Sequence, residues 1–350
     1  MTVTTPILQS SQRLVVEWPT LALAALIYSG WALATLFHRF FSPFLLAVVG
    51  GWLIAWYGSL QHEIIHDHPT PWRRVNTVLG MAPLSLWLPF ELYRRSHIVH
   101  HVTEHLTEPA LDPESYYLTS GASPGGPLGR AVGRLQACLL ARLLLGPIIG
   151  VSLFLTGEVG RIARCDKSRL HIWAIHGLLV AAVLAWLHFV CNMSLGLYLL
   201  CFVYPGRALS LVRSYAEHRA HPDPLRRTAA VEHAPVLGLL YLYNNLHVAH
   251  HYRPNVPWYQ LPGLYRRERE HLLDSNGGLV YDGYIEIFRR FLLRPHDQLI
   301  HADAIRDRQA DAAEALRRAA PAVPDLPGTN EQAVGSLSGS PQGQAHSARA

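Results

Sequence analysis

The sequence predicts an all-α integral-membrane protein, with about four transmembrane helices in two hairpins beneath a cytoplasmic helical cap. Three observations carry this expectation. Half of the 350 residues are hydrophobic and only 16% are charged, against about 25% charged in soluble domains; the mean hydropathy is +0.12. Four apolar stretches approach the roughly 20 residues a helix needs to cross a bilayer. Histidine is unusually abundant, with 21 residues, and the excess is clustered beside those stretches.

Residues 1–17 are polar and lack a basic region followed by an apolar core and a cleavage site, so no signal peptide is expected. They read as an N-terminal cytoplasmic segment. The membrane domain is expected over 18–301. Its first two spans, 18–37 and 42–60, are separated by the polar break His38-Arg39. The apolar run 75–92 contains Pro83 and Pro89. Each proline removes a backbone donor, so a re-entrant or interfacial segment is expected there. Residues 106–134, rich in Pro, Gly, Ser and Asp, read as a loop. The run 135–155 is interrupted by Arg142, Gly146 and Pro147; a mid-span arginine is costly, which places this run at the membrane surface. Spans 172–190 and 195–211 follow, joined by Cys191-Asn192-Met193-Ser194, and Arg207 lies near enough to an end to snorkel. The composition of 302–350, Ala- and Arg-rich and then Gly- and Ser-rich, cannot bury a core and predicts a disordered tail.

The formal net charge is +5 and Lys167 is the only lysine. With half the chain apolar, this mild arginine excess fits anionic lipid headgroups better than nucleic acid. Cys138, Cys165, Cys191 and Cys201 show no C-x-x-C spacing and read as reduced thiols. Arginines concentrate between the second and third spans (Arg73, Arg74, Arg94, Arg95 and others) and after the fourth (Arg213, Arg219, Arg226, Arg227). The positive-inside rule therefore puts the histidine-bearing regions and both termini in the cytoplasm, most simply of a bacterial inner membrane.

The histidines form three boxes. His62 and His66 are four residues apart and share a helix face. His97, His100 and His101 have the spacing i, i+3, i+4, as do His247, His250 and His251. Each triplet puts three imidazoles on one side of a helix, enough to reach two adjacent metals. His68 falls off that face and belongs with the turn at Pro69. A lone histidine is ordinarily a surface or hydrogen-bonded residue, and His38, His171, His176, His188, His233, His271, His296 and His301 are left there. Imidazole alone does not choose the metal. A catalytic zinc needs three protein ligands and an open position, and eight box histidines exceed that. Two metals that change oxidation state and bind dioxygen point to iron. His62-Glu63-Ile64-Ile65-His66 is also the H-E-x-x-H string of zinc peptidases. An intramembrane zinc metallopeptidase, with Asp282 as a distant ligand, is the alternative from another class, but it leaves both triplets without a task. A non-catalytic metal carrier is a third class with no positive signal.

Span pair, two boxes, span pair and third box together resemble the membrane fatty acid desaturase and hydroxylase superfamily, in particular its small bacterial desaturase-like branch, from about Trp18 to Arg294. The stretch from His100-His101-Val102-Thr103-Glu104-His105 to Leu111-Asp112-Pro113-Glu114-Ser115 is similar to the segment after the second box in small bacterial desaturases. Tyr215-Ala216-Glu217-His218 resembles an element of the alkane monooxygenases that supplies an extra iron ligand. The resemblance implies ligation of two irons by His62, His66, His97, His100, His101, His218, His247, His250 and His251, with His218 ahead of His221. It implies no catalytic residue beyond these ligands. Glu63, Asp67, Asp112, Glu217, Asn244 and Asn245 are candidates to orient the rings, on sequence proximity alone.

The activity so implied uses dioxygen and two electrons to introduce a double bond into an acyl chain or related aliphatic substrate. Alternatives are desaturation of a small amino-acid-derived metabolite resembling dihydrorhizobitoxine, and alkyl or carotenoid hydroxylation, towards which Glu63 and the Tyr215–His218 element pull. The chain has no fused haem element and no flavin or nicotinamide fingerprint. Electrons are therefore expected from a separate ferredoxin- or rubredoxin-type donor and its reductase, and Arg73, Arg74, Arg94 and Arg95 either dock that donor or touch lipid phosphate.

Overall fold

The computed structural model describes residues 15–109, 111–117, 126–164, 166–298 and 301. The expected tail 302–350 and most of the segment 1–17 lie outside them. The protein is mostly helical, with one two-stranded parallel sheet among the described residues.

Helices α1 (Trp18–Leu36) and α2 (Pro43–Ile65) pack along one another. Ser42 starts α2 by accepting Leu45 N–H, with Pro43 at the first helical position, where its missing N–H costs nothing. Asp67 ends α2: its φ of 65° is the left-handed conformation that closes many helices. Two short helices follow, α3 (Arg73–Gly80) and α4 (Phe90–Val102). Between them runs the irregular segment 81–89, the middle of the run 75–92 expected to be re-entrant or interfacial. Its carbonyls are taken by side chains from inside the bundle: Tyr198 Oη donates to Leu84 O at 2.6 Å and His176 Nε2 meets Leu86 O at 2.9 Å. Tyr57 Oη reaches the carbonyls of Gly80 and Ala82, and Tyr28 Oη that of Leu79. Buried backbone without regular structure needs such partners.

Helix α5 (Gly126–Gln136) occupies the end of the region read as loop, so that the loop is shorter than expected. Helix α6 (Leu139–Ala163) then runs 25 residues with Pro147 inside it. It is followed by α7 (Lys167–Ala185), continued by a π-turn to Val190, and by α8 (Leu195–Tyr198), which runs through a second π-turn into α9 (Tyr204–Glu217). Among the described residues, five helical stretches are long and apolar enough to cross a membrane, α6 among them. This differs from the expected four. Arg142 and Pro147 interrupt the apolar run, yet Arg142 is accommodated between the rings of Tyr116 and Tyr215 and donates to Gln136 O at 2.8 Å. Both ends of α6 nevertheless belong to the same end of the bundle. Ala137 O accepts from Tyr215 Oη at 2.7 Å, three residues before His218. Glu158 is held by Arg161, Arg169 and Trp173 at the start of α7. The far end of α7 meets the far end of α1, where Trp186 Nε1 donates to Thr35 Oγ1 at 3.1 Å.

Helix α2 packs tightly on α9 and on the π-turn before it. A Cβ on Gly206 would sit 2.5 Å from Ile54 Cβ, and one on Gly50 would sit 2.5 Å from Cys201 O in that turn. Outward faces carry large exposed apolar side chains, including Leu26, Phe44, Leu153, Leu178, Phe189 and Leu200. Such a belt has no place on a water-facing monomer. After α9 come the short helices α10 (Pro235–Leu240), α11 (His247–Tyr252), α12 (Leu261–Ser275) and α13 (Tyr284–Phe291), with strands β1 (Ala230–Val231) and β2 (Val280–Tyr281) paired in parallel.

Candidate metal centre

Four segments bring histidines to one place. The last turn of α2 presents His62, with His66 capping it. Helix α4 presents His97, His100 and His101 on successive turns, and α11, only six residues long, presents His247, His250 and His251. His218 leaves α9 in extended conformation (φ −133°, ψ 147°) and bridges to Thr228, which turns its ring inward.

The nine rings fall into two groups. His62, His66, His97, His101 and His250 form one; His100, His218, His247 and His251 form the other, and within each group the nitrogens lie within 4.8 Å of one another. The groups interlock, since α4 and α11 each contribute to both. Facing Nε2 atoms are close: His66–His97 3.1 Å, His101–His250 3.1 Å, His100–His218 3.1 Å, His218–His247 2.9 Å and His247–His251 3.2 Å. No side chain other than a metal ligand gains from this crowding of like groups in a buried space.

Electrostatics keep most of these rings neutral, the form that binds metal. Burial above all, with the neighbouring rings adding to it, pushes His66, His101, His247, His250 and His251 well below the ordinary histidine range. Burial lowers His97 too, and takes His218 down to about 3, helped by the His100 ring. His100 is the exception: burial opposes its charge, but the hydrogen bond to Asp112 outweighs it and raises the ring.

The other ring nitrogens are held by partners that fix orientation. His100 Nδ1 meets Asp112 Oδ1 at 2.9 Å, His97 Nδ1 meets Glu114 Oε1 at 3.0 Å, and His247 Nδ1 meets Asn244 Oδ1 at 2.9 Å. His218 Nδ1 donates to Arg227 O at 3.2 Å. Asn244 Nδ2 in turn donates to Glu217 Oε1 at 3.1 Å and lies 3.4 Å from His62 Nε2. Asp112, Glu217 and Asn244 are thus brought to the rings. Three other sequence candidates are not. Glu63 turns away on α2 to accept Trp258 N–H at 2.7 Å and face His68, which also meets Glu17 at 2.6 Å. Asp67 is exposed at the end of α2, 3.8 Å from Arg73. Asn245 donates to Val231 O at 2.7 Å and braces β1. His221 takes Asp223 N–H at 3.0 Å in a turn. Asp282, the distant ligand a peptidase would want, pairs on the surface with His233.

Glu114 was not among the sequence candidates. The signal was present in Asp112-Pro113-Glu114, two carboxylates separated by a proline, but only the fold shows that the loop returns across α4. Burial opposes the charge on Glu114, yet the adjoining His97 ring outweighs it and lowers the carboxyl to about 2. Arg227, almost fully buried, supports the same loop by donating to Leu106 O at 2.6 Å while its own carbonyl holds His218.

The family model described as fatty acid desaturase matches residues 39–283, which is more than half of the chain. The match spans all three boxes and His218. No curated protein matches the sequence.

Proposed function

Because this chain belongs to the fatty acid desaturase family, a family of membrane oxidoreductases, we propose that it is a dioxygen-dependent di-iron desaturase of an acyl chain or related aliphatic substrate. The observation that carries the reading is the division of nine imidazoles, five buried and four part-buried, into groups of five and four. Five nitrogens around one point exceed the four of a closed zinc site. Facing Nε2 atoms 2.9–3.2 Å apart are close enough for neighbouring rings to share one ion. The imidazole set suits iron. Two bound irons would supply the dioxygen chemistry that takes hydrogen from an unactivated C–H bond.

The chain's own residues orient and exclude. Asp112, Glu114 and Asn244 hold His100, His97 and His247 with Nε2 inward, and the buried setting keeps bulk water from the rings. Neither the H-E-x-x-H glutamate nor Asp282 stands where a zinc peptidase would need it: Glu63 faces His68 and Trp258, and Asp282 pairs with exposed His233. We read α6 as lying along the membrane surface, because both its ends are tied to the histidine end of the bundle. Four crossings then remain, and the three boxes with His218 share the arginine-rich, cytoplasmic side. Electrons come from a separate ferredoxin- or rubredoxin-type donor. Metal analysis of the purified protein is expected to find about two irons per chain; a single tightly bound zinc would overturn the reading.

A further inference from the structure

Arg213 Nη1 and Tyr284 Oη are among the buried polar atoms that have no hydrogen-bond partner among the described residues. Arg213 lies on α9 five residues before His218, about 7 Å along the axis and on the membrane side of the rings. Its Nε is 3.3 Å from Glu217 Oε1, the carboxylate that also accepts from Asn244. Tyr284 opens α13, is 5% exposed, and meets the edge of Tyr241 at 5.6 Å between centroids. Its hydroxyl interacts electrostatically with both Glu217 and Arg213. Another nitrogen of the Arg213 guanidinium hydrogen-bonds Tyr93, whose ring centre is 5.8 Å from that of His97. Guanidinium and phenol therefore share one buried polar compartment that borders the histidine cluster.

A buried donor left unpaired is costly, and a phenol buried in an apolar cluster is ordinarily replaced by phenylalanine unless its oxygen is used. Tyr284 lies in the core formed by Val212, Tyr215, Ala216, Tyr241 and Ile287, where a phenyl ring would pack equally well. Neither orphan atom holds a histidine ring. Both are suited to one acceptor oxygen presented from the membrane side.

We propose that Arg213 and Tyr284 bind a neutral carbonyl oxygen of the substrate, that of an ester, thioester or amide, within a few bonds of the carbon oxidised at the histidine cluster. This rests on the reading of that cluster as the oxidation centre. Neutrality follows from the charges already present: Glu217 supplies the counter-charge to Arg213, and Glu114 acts on it as well. A substrate carboxylate would meet two carboxylates around a single guanidinium. The substrate class is thus an acyl derivative oxidised near its carbonyl, in contrast to a plain hydrocarbon.

The test is equilibrium binding of radiolabelled methyl octanoate, octanoate and n-octane to the full-length protein in detergent, with Tyr284→Phe beside the wild type. Tyr284 Oη has no partner to lose, so the variant is expected to keep its melting temperature and iron content. The ester is expected to bind the wild type at least about tenfold more tightly than the alkane, and Tyr284→Phe to weaken ester binding about threefold to tenfold while leaving alkane binding unchanged. Arg213→Met should abolish the preference for the ester. Equal binding of ester and alkane, tighter binding of octanoate than ester, or unaltered ester affinity in Tyr284→Phe would each overturn the assignment. Iron content separates the two readings: a protein with two irons and no ester preference refutes this inference alone, and one without iron refutes the proposed activity whatever it binds.

Discussion

Replacing Asp112 with asparagine tests the orientation of a single ring. Asp112 is 3% exposed, and its two oxygens have separate tasks. Oδ1 meets His100 Nδ1 at 2.9 Å and accepts Glu114 N–H at 2.9 Å, while Oδ2 accepts Thr107 N–H at 2.7 Å. Asparagine keeps the shape and one acceptor that still reaches His100, but it turns an amide N–H₂ toward the Thr107 N–H. The ring loses a charged acceptor, and the loop loses one backbone hydrogen bond. Disturbing the residue that orients a metal-bound histidine costs about 10–100-fold in metal affinity, or about 1.4–2.7 kcal/mol. His100 belongs with His218, His247 and His251, so the loss should fall on that group while the five-histidine group keeps its ion. Dialysis of Asp112→Asn against graded chelator is expected to release about one iron per chain at a concentration about 10–100-fold below that needed for the wild type. The second iron should leave at the wild-type concentration. Retention of both irons, or their joint departure, would refute the reasoning.

The mirror experiment is Glu114→Gln. Glu114 holds His97 at 3.0 Å, and His97 belongs to the five-histidine group, so the more easily released iron should be the other one, distinguishable by which spectroscopic signal fades first. Gly206→Ala forces a methyl to 2.5 Å from Ile54 Cβ; such overpacking costs about 1–3 kcal/mol, and a melting temperature in detergent equal to wild type would show that α2 and α9 are not in close contact. Acid should destabilise the metal-free protein. His218 lies at about 3 in the fold against an ordinary 6.5, so between those values the unfolded chain binds a proton that the folded chain refuses, and stability drops as pH falls through that window. Glu114, at about 2 against 4.5, adds a further loss below 4.5 in the same direction. Chelator-treated protein whose melting temperature stays constant on acidification from neutrality would contradict both.

The sequence displayed the site more fully than the framework around it. Metal ligation requires fixed residue types at fixed helical spacing, and that spacing is local: His97, His100 and His101 announce themselves on any helix. His218 carries no such local signal, and only the likeness of Tyr215-Ala216-Glu217-His218 to a known element placed it among the nine. The residues that hold the rings follow another rule. Asn244 is three residues from His247 and was legible by proximity. Glu114 reaches back across 17 residues to His97, and Glu63, next to His62 in sequence, points to the opposite side of its helix, where it meets Trp258. Proximity along a helix does not mean a shared face, because neighbouring side chains diverge by about 100°. The run 135–155 misled in a different way. Arg142 looks forbidding in an apolar stretch until the rings of Tyr116 and Tyr215 are brought to it from far away in the chain, beside the nearby carbonyl of Gln136.

The segment 81–89 between α3 and α4 has a consequence for how this fold can vary. The carbonyls of Ala82, Leu84 and Leu86 within it, and of Leu79 and Gly80 just before it, are matched to hydroxyl and ring donors carried by α1, α2, α7 and the α8–α9 stretch. Each donor is fixed in place by its own helix, so the segment behaves like a key cut to a lock of fixed pins. One added residue would bring a carbonyl with no donor and shift every later carbonyl off its own. Chains of this design are therefore free to lengthen where their loops meet water, but should keep a constant number of residues here. The exchange of any one of Tyr28, Tyr57 or Tyr198 for phenylalanine should be tolerated only where the carbonyl it served has moved as well.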